Sequence, residues 1–149
     1  MREIAEFIAV LTCSLFSGAA IYISLVEHPA RMECGAEIAA TEFAPSYRRA
    51  TAMQATLAAL GLLGSIAAWF EGATFCWLIG GGLLGLVIPF TLIVILPTNK
   101  QLLNPALNRR SLETERLLAR WATLHAVRSV LSGLALLVFV YLLIFGKAL

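Results

Sequence analysis

Charged residues are scarce in this chain: Asp, Glu, Lys and Arg make up 13% of its 149 residues, whereas 60% of the residues are hydrophobic. A soluble domain carries about 25% charged and about 45–50% apolar residues. Both departures argue against a soluble domain and favour a membrane protein. A nucleic-acid binder is also excluded, because the net charge is only +2 and the chain is too apolar.

Paired cysteines and cofactor motifs are also missing. Cys13, Cys34 and Cys76 form neither a close pair nor a metal-binding spacing, so we interpret them as small apolar filler. The chain has no Walker, Rossmann, zinc-finger or haem-attachment motif. No cofactor is therefore predicted from motifs.

Long uncharged segments fill most of the sequence, and each is long enough to cross a membrane. A spanning helix needs about 20 apolar residues, and its backbone must satisfy its own hydrogen bonds in lipid. The sequence therefore predicts an all-α fold, one integral membrane domain over residues 1–149. We expect an antiparallel up-and-down bundle of four transmembrane helices at approximately residues 4–26, 50–70, 76–96 and 121–145.

The basic residues are distributed unevenly along the chain. Arg2 and Lys147 flank the bundle on one side, whereas most of the others lie in the two longer loops. These are Arg31, Arg48, Arg49, Lys100, Arg109, Arg110, Arg116 and Arg120. An excess of Lys and Arg marks cytoplasmic loops. We therefore predict a multi-pass protein of the plasma (inner) membrane, with both long loops in the cytoplasm and both termini outside.

Prolines and one serine mark the expected helix ends. We predict that Pro29 ends the first span, because proline disfavours helix at the preceding residue. Residues 32–43 are predicted to form a short interfacial helix that Pro45 breaks, and Pro89 to kink the third span. Ser111, followed by two acids, is typical of an N-cap, so a helix is predicted to begin there and run into the fourth span.

Small residues indicate where the spans pack against each other, because they allow close helix contact in membranes. Gly81 and Gly85 form a GxxxG pair in the third span, which we interpret as packing within the bundle. One face of the second span is a predicted packing seam that consists of Gln54, Ala58, Gly61 and Ser65.

Polar side chains should meet at one side of the membrane. Because the spans alternate in direction, the end of span one, the start of span two, the end of span three and the start of span four lie together. This topology collects Glu27, His28, Gln54, Asn99, His125 and Arg128, with Tyr47 and Trp121 nearby. Ionisable residues inside a membrane are costly and indicate a functional site.

Three interpretations of this cluster stay open. In the first, Glu27 pairs with Arg128 as a structural latch, and the histidines donate to backbone carbonyls. In the second, a histidine is a general base and Arg128 or Asn99 stabilises the resulting anion. In the third, Glu27, His28 and His125 bind a metal. The metal ranks below the base, because Glu27 and His28 would point in different directions on a continuous helix.

Four short motifs together resemble a known family. They are Glu27-His28-Pro29-Ala30-Arg31, Phe43-x-Pro45-x-Tyr47 before Met53-Gln54, Leu96-Pro97-Thr98-Asn99, and Arg120-Trp121-x-x-Leu124-His125-x-x-Arg128. In this order they resemble the widespread four-span membrane family that includes the fungal anthrone oxygenases. That branch converts anthrones to anthraquinones with molecular oxygen and no recruited organic cofactor.

The resemblance implies a small oxygen-using membrane enzyme that acts on an apolar aromatic or phenolic substrate. Carried over to this sequence, the catalytic candidates are Glu27, His28, Asn99, His125 and Arg128. An anthrone is acidic at the carbon between its aryl rings, so the reaction needs a base, an anion clamp and an apolar pocket. We predict His125 as the base and Arg128 as the clamp. Substrate contacts are predicted from Trp121, Gln54 and Tyr47.

Two non-enzymatic alternatives also fit the pattern. One is a membrane protein that binds or transports a lipid or small molecule through the same cluster. Transport is disfavoured, because only Ser17, Ser65 and Ser132 offer polar groups deeper in the spans. The other is a structural bundle whose cluster is an ion-pair latch. The expected partners are the lipid bilayer and an apolar small molecule, and the chain is compatible with a homo-oligomer.

Overall fold

The structure, a computed structural model, describes residues 1–146 and consists of four long helical segments. We name them α1 (Arg2–Glu33), α2 (Ala36–Phe70), α3 (Cys76–Leu102) and α4 (Leu112–Phe145). Each is long and apolar enough to cross a membrane, and no strand occurs within the described residues. The predicted all-α fold with four spans is confirmed. Lys147, which we assigned to the outer side, lies outside the described residues.

The helices form a closed ring in which each packs against the next in the chain and α4 packs back against α1. Their connections are short, so neighbouring helices run in opposite directions. Each helix is longer than the span predicted from its uncharged residues, because its ends carry polar and charged side chains beyond the apolar stretch. In α1 and α2 the additional turns carry charged side chains that lie beside the candidate functional site.

The prediction that Pro29 ends the first helix is wrong. The chain passes through a π-helical turn at Ile23–Glu27 and continues in helix to Glu33. Proline lacks an N–H and its ring clashes with the carbonyl four residues earlier. In the wider π turn the His28 N–H bonds to the Ile23 carbonyl. This turn gives room to the carbonyl four residues before Pro29, which the proline ring would otherwise contact too closely.

A second π-helical turn repeats this arrangement in α3. Thr91–Ile95 precedes Pro97 at the same spacing, and the Leu96 N–H bonds to the Thr91 carbonyl. π-helical turns inside helices often lie at functional sites. Both turns of this protein lie towards the same end of the bundle, which we call the polar end: the end of α1, start of α2, end of α3 and start of α4.

Pro45 does not break a helix as predicted. It lies inside the continuous helix Ala36–Phe70. The carbonyl that loses its helical donor belongs to Thr41, four residues earlier, and Thr41 is exposed. The separate interfacial helix predicted at residues 32–43 is therefore wrong, because most of it is the first part of α2.

The other two predicted helix signals are confirmed. The α3 helix is interrupted at Leu86, three residues before Pro89. Ser111 is the N-cap of α4, and its hydroxyl accepts a hydrogen bond from the Thr114 N–H at 3.3 Å. From there α4 runs without interruption into the fourth span.

The opposite end of the bundle is closely packed through small residues, and we call it the close-packed end. A Cβ atom at Gly81 would lie 1.8 Å from the Ser65 Oγ, and one at Gly64 would lie 2.9 Å from the Ala9 nitrogen. The predicted packing role of Gly81 is thus confirmed. The predicted seam on α2 is confirmed as well, since all four of its residues are buried.

Candidate functional site

Two buried histidines at the polar end pack on one tryptophan. The Trp121 ring lies 4.7 Å from the His125 ring and 5.3 Å from the His28 ring, measured between centroids. His125 is 2% exposed and His28 6% exposed. The π turn and Pro29 bring His28 to this position from α1, while Trp121 and His125 lie one helical turn apart on α4.

A chain of hydroxyl groups determines which ring nitrogen of neutral His125 carries the hydrogen. The Ser129 hydroxyl donates its hydrogen to the Ala20 carbonyl at 2.9 Å. Ser129 can therefore only accept from Ser24 Oγ, which lies 2.8 Å away, so Ser24 donates to Ser129. The remaining contact, 3.1 Å between Ser24 Oγ and His125 Nδ1, then requires the Nδ1–H to donate. The neutral ring therefore keeps Nε2 free to accept a proton.

Arg128 lies one turn deeper than His125, and among the described residues it has no acidic partner. Its Nη2 donates to Gln54 Oε1, and its guanidinium carbon lies 5.5 Å from the centre of the Phe16 ring. Within residues 1–146, no carboxylate oxygen lies within 4.0 Å of its nitrogen atoms. Arg128 is thus a cation held by an amide and an aromatic face.

The predicted ion pair between Glu27 and Arg128 is wrong. Glu27 pairs with Arg31, and the Arg31 Nε also lies 3.0 Å from Glu42 Oε2. The physical reason is the continuation of α1 beyond Pro29, which places residues 27 and 31 one helical turn apart on the same face. Because we predicted that the helix ends between these residues, we did not predict the ion pair.

Arg31 is the residue that sequence reasoning missed. It is 8% exposed and lines the same cavity as His125 and Arg128. The four-residue spacing from Glu27 was a visible signal, but only for a helix that continues through Pro29. Nothing in the sequence indicated the contact between Ser24 and His125, which lie 101 positions apart.

Two adjoining cavities meet at these side chains. The polar cavity has a volume of about 30 Å³ and is lined by Gln54, Asn99, Trp121, His125 and Arg128 together with Ile23, Arg31, Phe43, Ser46, Tyr47, Ala50 and Thr51. The apolar cavity, about 110 Å³, is lined mainly by Phe16, Ala55, Ala58, Val87, Ile88, Thr91 and Leu92. Both are lined by Tyr47, Thr51, Gln54 and Arg128.

Several polar atoms around the polar cavity have no partner among the described side chains and backbone. Three are nitrogen donors: Arg128 Nε, Gln54 Nε2 and Trp121 Nε1. The fourth is the Asn99 amide oxygen. A buried polar atom without a hydrogen bond costs about 1–3 kcal/mol. An excess of donors beside a cation is complementary to an acceptor or an anion, and such a ligand would satisfy them.

The structure brings most of the predicted site residues together. Six of them line the polar cavity: Tyr47, Gln54, Asn99, Trp121, His125 and Arg128. His28 contacts the cavity wall through Trp121. Glu27 faces a more open groove between α1 and α2. Their catalytic and substrate-binding roles stay predictions.

The alternative metal set is not assembled in this geometry. In the part of the chain that the structure describes, no three His, Cys, Asp or Glu side chains lie close enough to hold a metal ion. Glu27 is paired with Arg31, and both imidazoles pack on Trp121. Glu27, His28 and His125 therefore do not form one ligand cluster.

Comparison with known proteins gives one match. A family model described as "Anthrone oxygenase" matches residues 43–138, which is about two thirds of the chain. The match begins in α2 and ends in α4, so it includes Gln54, Asn99, His125 and Arg128 but neither His28 nor the rest of α1. No curated protein and no solved structure matches the chain.

Proposed function

Because the chain belongs to the anthrone oxygenase family, we propose that it is a membrane-embedded oxygenase whose reaction takes place at the polar cavity. The substrate is an apolar phenolic or aromatic molecule with an acidic carbon, such as an anthrone. Molecular oxygen is the oxidant and the product is the corresponding quinone. The observation that carries this proposal is the hydroxyl chain that leaves His125 Nε2 free in the same cavity as Arg128.

His125 is the general base in this proposal. A base must be neutral, oriented and within reach of the substrate proton. Ser24 holds the ring through Nδ1, and the face of the ring stacks on Trp121 at an angle of 28°. These two contacts fix the ring while leaving Nε2 without a hydrogen bond to any described residue.

Arg128 is the clamp for the oxyanion that forms when the proton leaves. Its charge is not cancelled by a carboxylate, and its Nε is unpartnered beside the unpartnered Gln54 Nε2. Donors that are already oriented where negative charge develops stabilise a transition state, the more so in a water-poor site. Asn99 and the Trp121 N–H lie in the same cavity and complete the set of polar contacts.

The proposed reaction balances without a further reductant. His125 takes a proton from the acidic carbon, and the C–H electron pair delocalises to the enolate oxygen at Arg128. The enolate transfers an electron to oxygen, and the two radicals combine to form a C–O bond. The protonated base returns a proton to the peroxide. Loss of the second proton of that carbon then breaks the O–O bond, so that a ketone and one water form.

The cavities require a change of shape to admit a three-ring substrate. Ligand pockets usually have volumes of at least about 300 Å³, and these two cavities measure about 30 and about 110 Å³. Their shared wall includes Tyr47 and Thr51 on α2. We expect these side chains to move when substrate binds, which would join the two cavities into one pocket with a polar and an apolar part.

The test is oxygen uptake by the protein reconstituted in lipid vesicles with anthrone, alongside His125→Ala. We expect the wild type to consume one oxygen and form one anthraquinone per anthrone. Loss of a general base lowers a rate by about 10²–10⁴-fold. No uptake by the wild type would reject the reaction. Equal rates in both proteins would reject His125 as the base.

We also propose that the polar end faces the cytoplasm of the plasma membrane. The basic residues of both longer loops lie at that end, and an excess of basic residues marks the cytoplasmic side. In this orientation the site is reached by cytoplasmic oxygen and by substrate dissolved in the inner leaflet.

A further inference from the structure

We propose that the ligand reaches Arg128 sideways from the bilayer, through the gap between α2 and α3 that the apolar cavity fills. The identity of the ligand, an apolar ring system whose oxygen takes up the negative charge of the enolate at Arg128, rests on the proposed function. The route itself rests on the shape of the cavity and on the residues at its two ends.

The outer end of the apolar cavity lies at the lipid-facing surface. Thr51 and Ala55 of α2 are exposed, and so is Leu92 of α3, at 59% of its surface. The inner end is formed by Gln54 and Arg128, which also line the polar cavity. One continuous lining therefore leads from the bilayer to the proposed clamp.

The gap has a local cause in both helices. In its first half, up to Gly85, α3 packs closely on α2 through Gly81 and Ser65, but after the interruption at Leu86 the two helices make few contacts. The α3 residues that line the gap lie between this interruption and the start of the π turn at Thr91–Ile95. On α2 the facing residues, Ala55 and Ala58, are too small to fill the space.

The lining selects the chemistry of the occupant. The walls are apolar and include Phe16, Val87 and Ile88. The inner end offers the positive charge of Arg128 and the unpartnered Gln54 Nε2. A membrane-dissolved ring that enters with its oxygen first would satisfy the donors and leave its apolar part between the helices.

A second opening, between α1 and α2, does not suit this ligand. It is a groove of about 520 Å³ that is lined by Glu27, Glu42 and Arg49 among others. The groove shares Ile23, Ser46 and Ala50 with the polar cavity, but Arg128 is not part of its lining, and its walls are more polar than those of the apolar cavity. Ala19 lines this groove but neither of the two cavities, so it offers a matched position for an experiment.

The experiment measures how fast a phenol reaches Trp121. Tribromophenol is acidic, has no enolisable carbon for the proposed reaction, and quenches tryptophan fluorescence on contact through its bromine atoms. Trp69 is exposed and is replaced by phenylalanine in all proteins, whereas Trp77 is 2% exposed and is protected from contact quenching. Vesicles with the protein are mixed with tribromophenol in a stopped-flow instrument, and the rate of quenching is recorded.

Three Ala→Phe variants separate the routes. Ala55→Phe obstructs the gap between α2 and α3, Ala19→Phe obstructs the groove between α1 and α2, and Ala52→Phe adds the same side chain to an exposed position outside all three linings. We expect Ala55→Phe to slow quenching at least tenfold and the other two to leave it unchanged. Slowing by Ala19→Phe alone, slowing by none, or a Trp121 that tribromophenol never quenches would overturn the proposal.

A second form of the experiment closes the gap after folding. Cys34 and Cys76 are replaced by serine, and the buried Cys13 is kept. Ala55→Cys, or Ala52→Cys as the control, is then modified with a bulky membrane-permeable maleimide in finished vesicles. Modification at position 55 should slow quenching and modification at position 52 should not; equal rates would contradict the route. Because tribromophenol is not oxygenated, intact quenching without anthrone turnover would reject the function and leave the route standing.

Discussion

The two ends of this bundle are built from the same four helices but differ in packing: one is closely packed, and the other contains cavities. At the close-packed end, glycine and alanine let the backbones approach until an added Cβ atom would collide, as at Gly64 and Gly81. At the polar end, the helices contain two π turns and several prolines and surround two cavities. The difference teaches that close packing and polar atoms without partners are separated along the bundle: the first lies at one end and the second around the cavities of the other.

A second contrast lies within the polar end, between its two arginines. Arg31 is surrounded by Glu27 and Glu42, whereas Arg128 is held by the neutral Gln54 and Phe16. A cation paired with two carboxylates has little charge left for a ligand. An unpaired cation is costly inside a membrane and marks a functional position. We therefore predict a structural role for Arg31 and a functional role for Arg128.

The largest expected effect follows from removing the unpaired charge. Arg128→Gln should lower oxygen uptake with anthrone by about 10²–10³-fold, the usual loss when one anion-stabilising donor is removed. Arg116→Gln, an exposed arginine on the same helix, is the matched control and should keep the wild-type rate. A variant at position 128 that is as active as the control would remove the contrast between the two arginines.

The close-packed end is probed by two neighbouring glycines. Gly81→Val should destabilise the protein by about 1–3 kcal/mol or more, the usual cost of overpacking, because its Cβ would collide with Ser65. Gly82→Val should be tolerated, since nothing lies within 4 Å of a Cβ placed there. Thermal unfolding in detergent measures both, and equal midpoints would show that this end is not closely packed.

Replacing Arg31 should lower the stability of the protein rather than the rate of the chemical step. Arg31→Gln leaves Glu27 and Glu42 without their cation. Both carboxylates are partly exposed, so we expect a loss of about 1–2 kcal/mol, between the values for surface and buried pairs. The rate of oxygen uptake per folded molecule should fall much less than in Arg128→Gln, as measured on protein purified by gel filtration. A larger loss of rate than in Arg128→Gln would reverse the assignment.

The smallest perturbation tests which end faces the cytoplasm. Cys34 is exposed near the polar end and Cys76 is exposed near the opposite end. In intact cells, a membrane-impermeant maleimide should label a protein that retains only Cys76 and should not label one that retains only Cys34. The reverse pattern would place the polar end outside.

The four spans and their meeting ends could be predicted from the sequence, because uncharged length and alternating direction are both visible in it. The continuation of helix through Pro29 and Pro45 could not be predicted. Helix tolerates these prolines because of a π turn in one case and an exposed carbonyl in the other, and both depend on the tertiary structure. The error at Pro29 then concealed the pair between Glu27 and Arg31. The contact between Ser24 and His125 depends on how α1 and α4 are rotated about their axes. The pattern of side chains in the sequence does not determine that rotation.

What is predicted but untested by the structure concerns assembly and chemistry. The homo-oligomer and the lipid and small-molecule partners stay predictions. So do the catalytic roles of Glu27, His28, Asn99, His125 and Arg128. At the close-packed end, the Trp77 ring stacks on the Phe139 ring with 5.3 Å between centroids. This packing disfavours a transport path across the bundle and favours a binding or catalytic site.

The most direct test of the account is chemical rescue of His125→Ala. If His125 Nε2 is the base and the rest of the polar end is intact, imidazole added to the vesicles should restore oxygen uptake with anthrone in a concentration-dependent way. The same imidazole should not restore Arg128→Gln, which lacks the clamp rather than the base. Failure of imidazole to raise the rate of a folded His125→Ala protein, or equal rescue of both variants, would contradict the central claim.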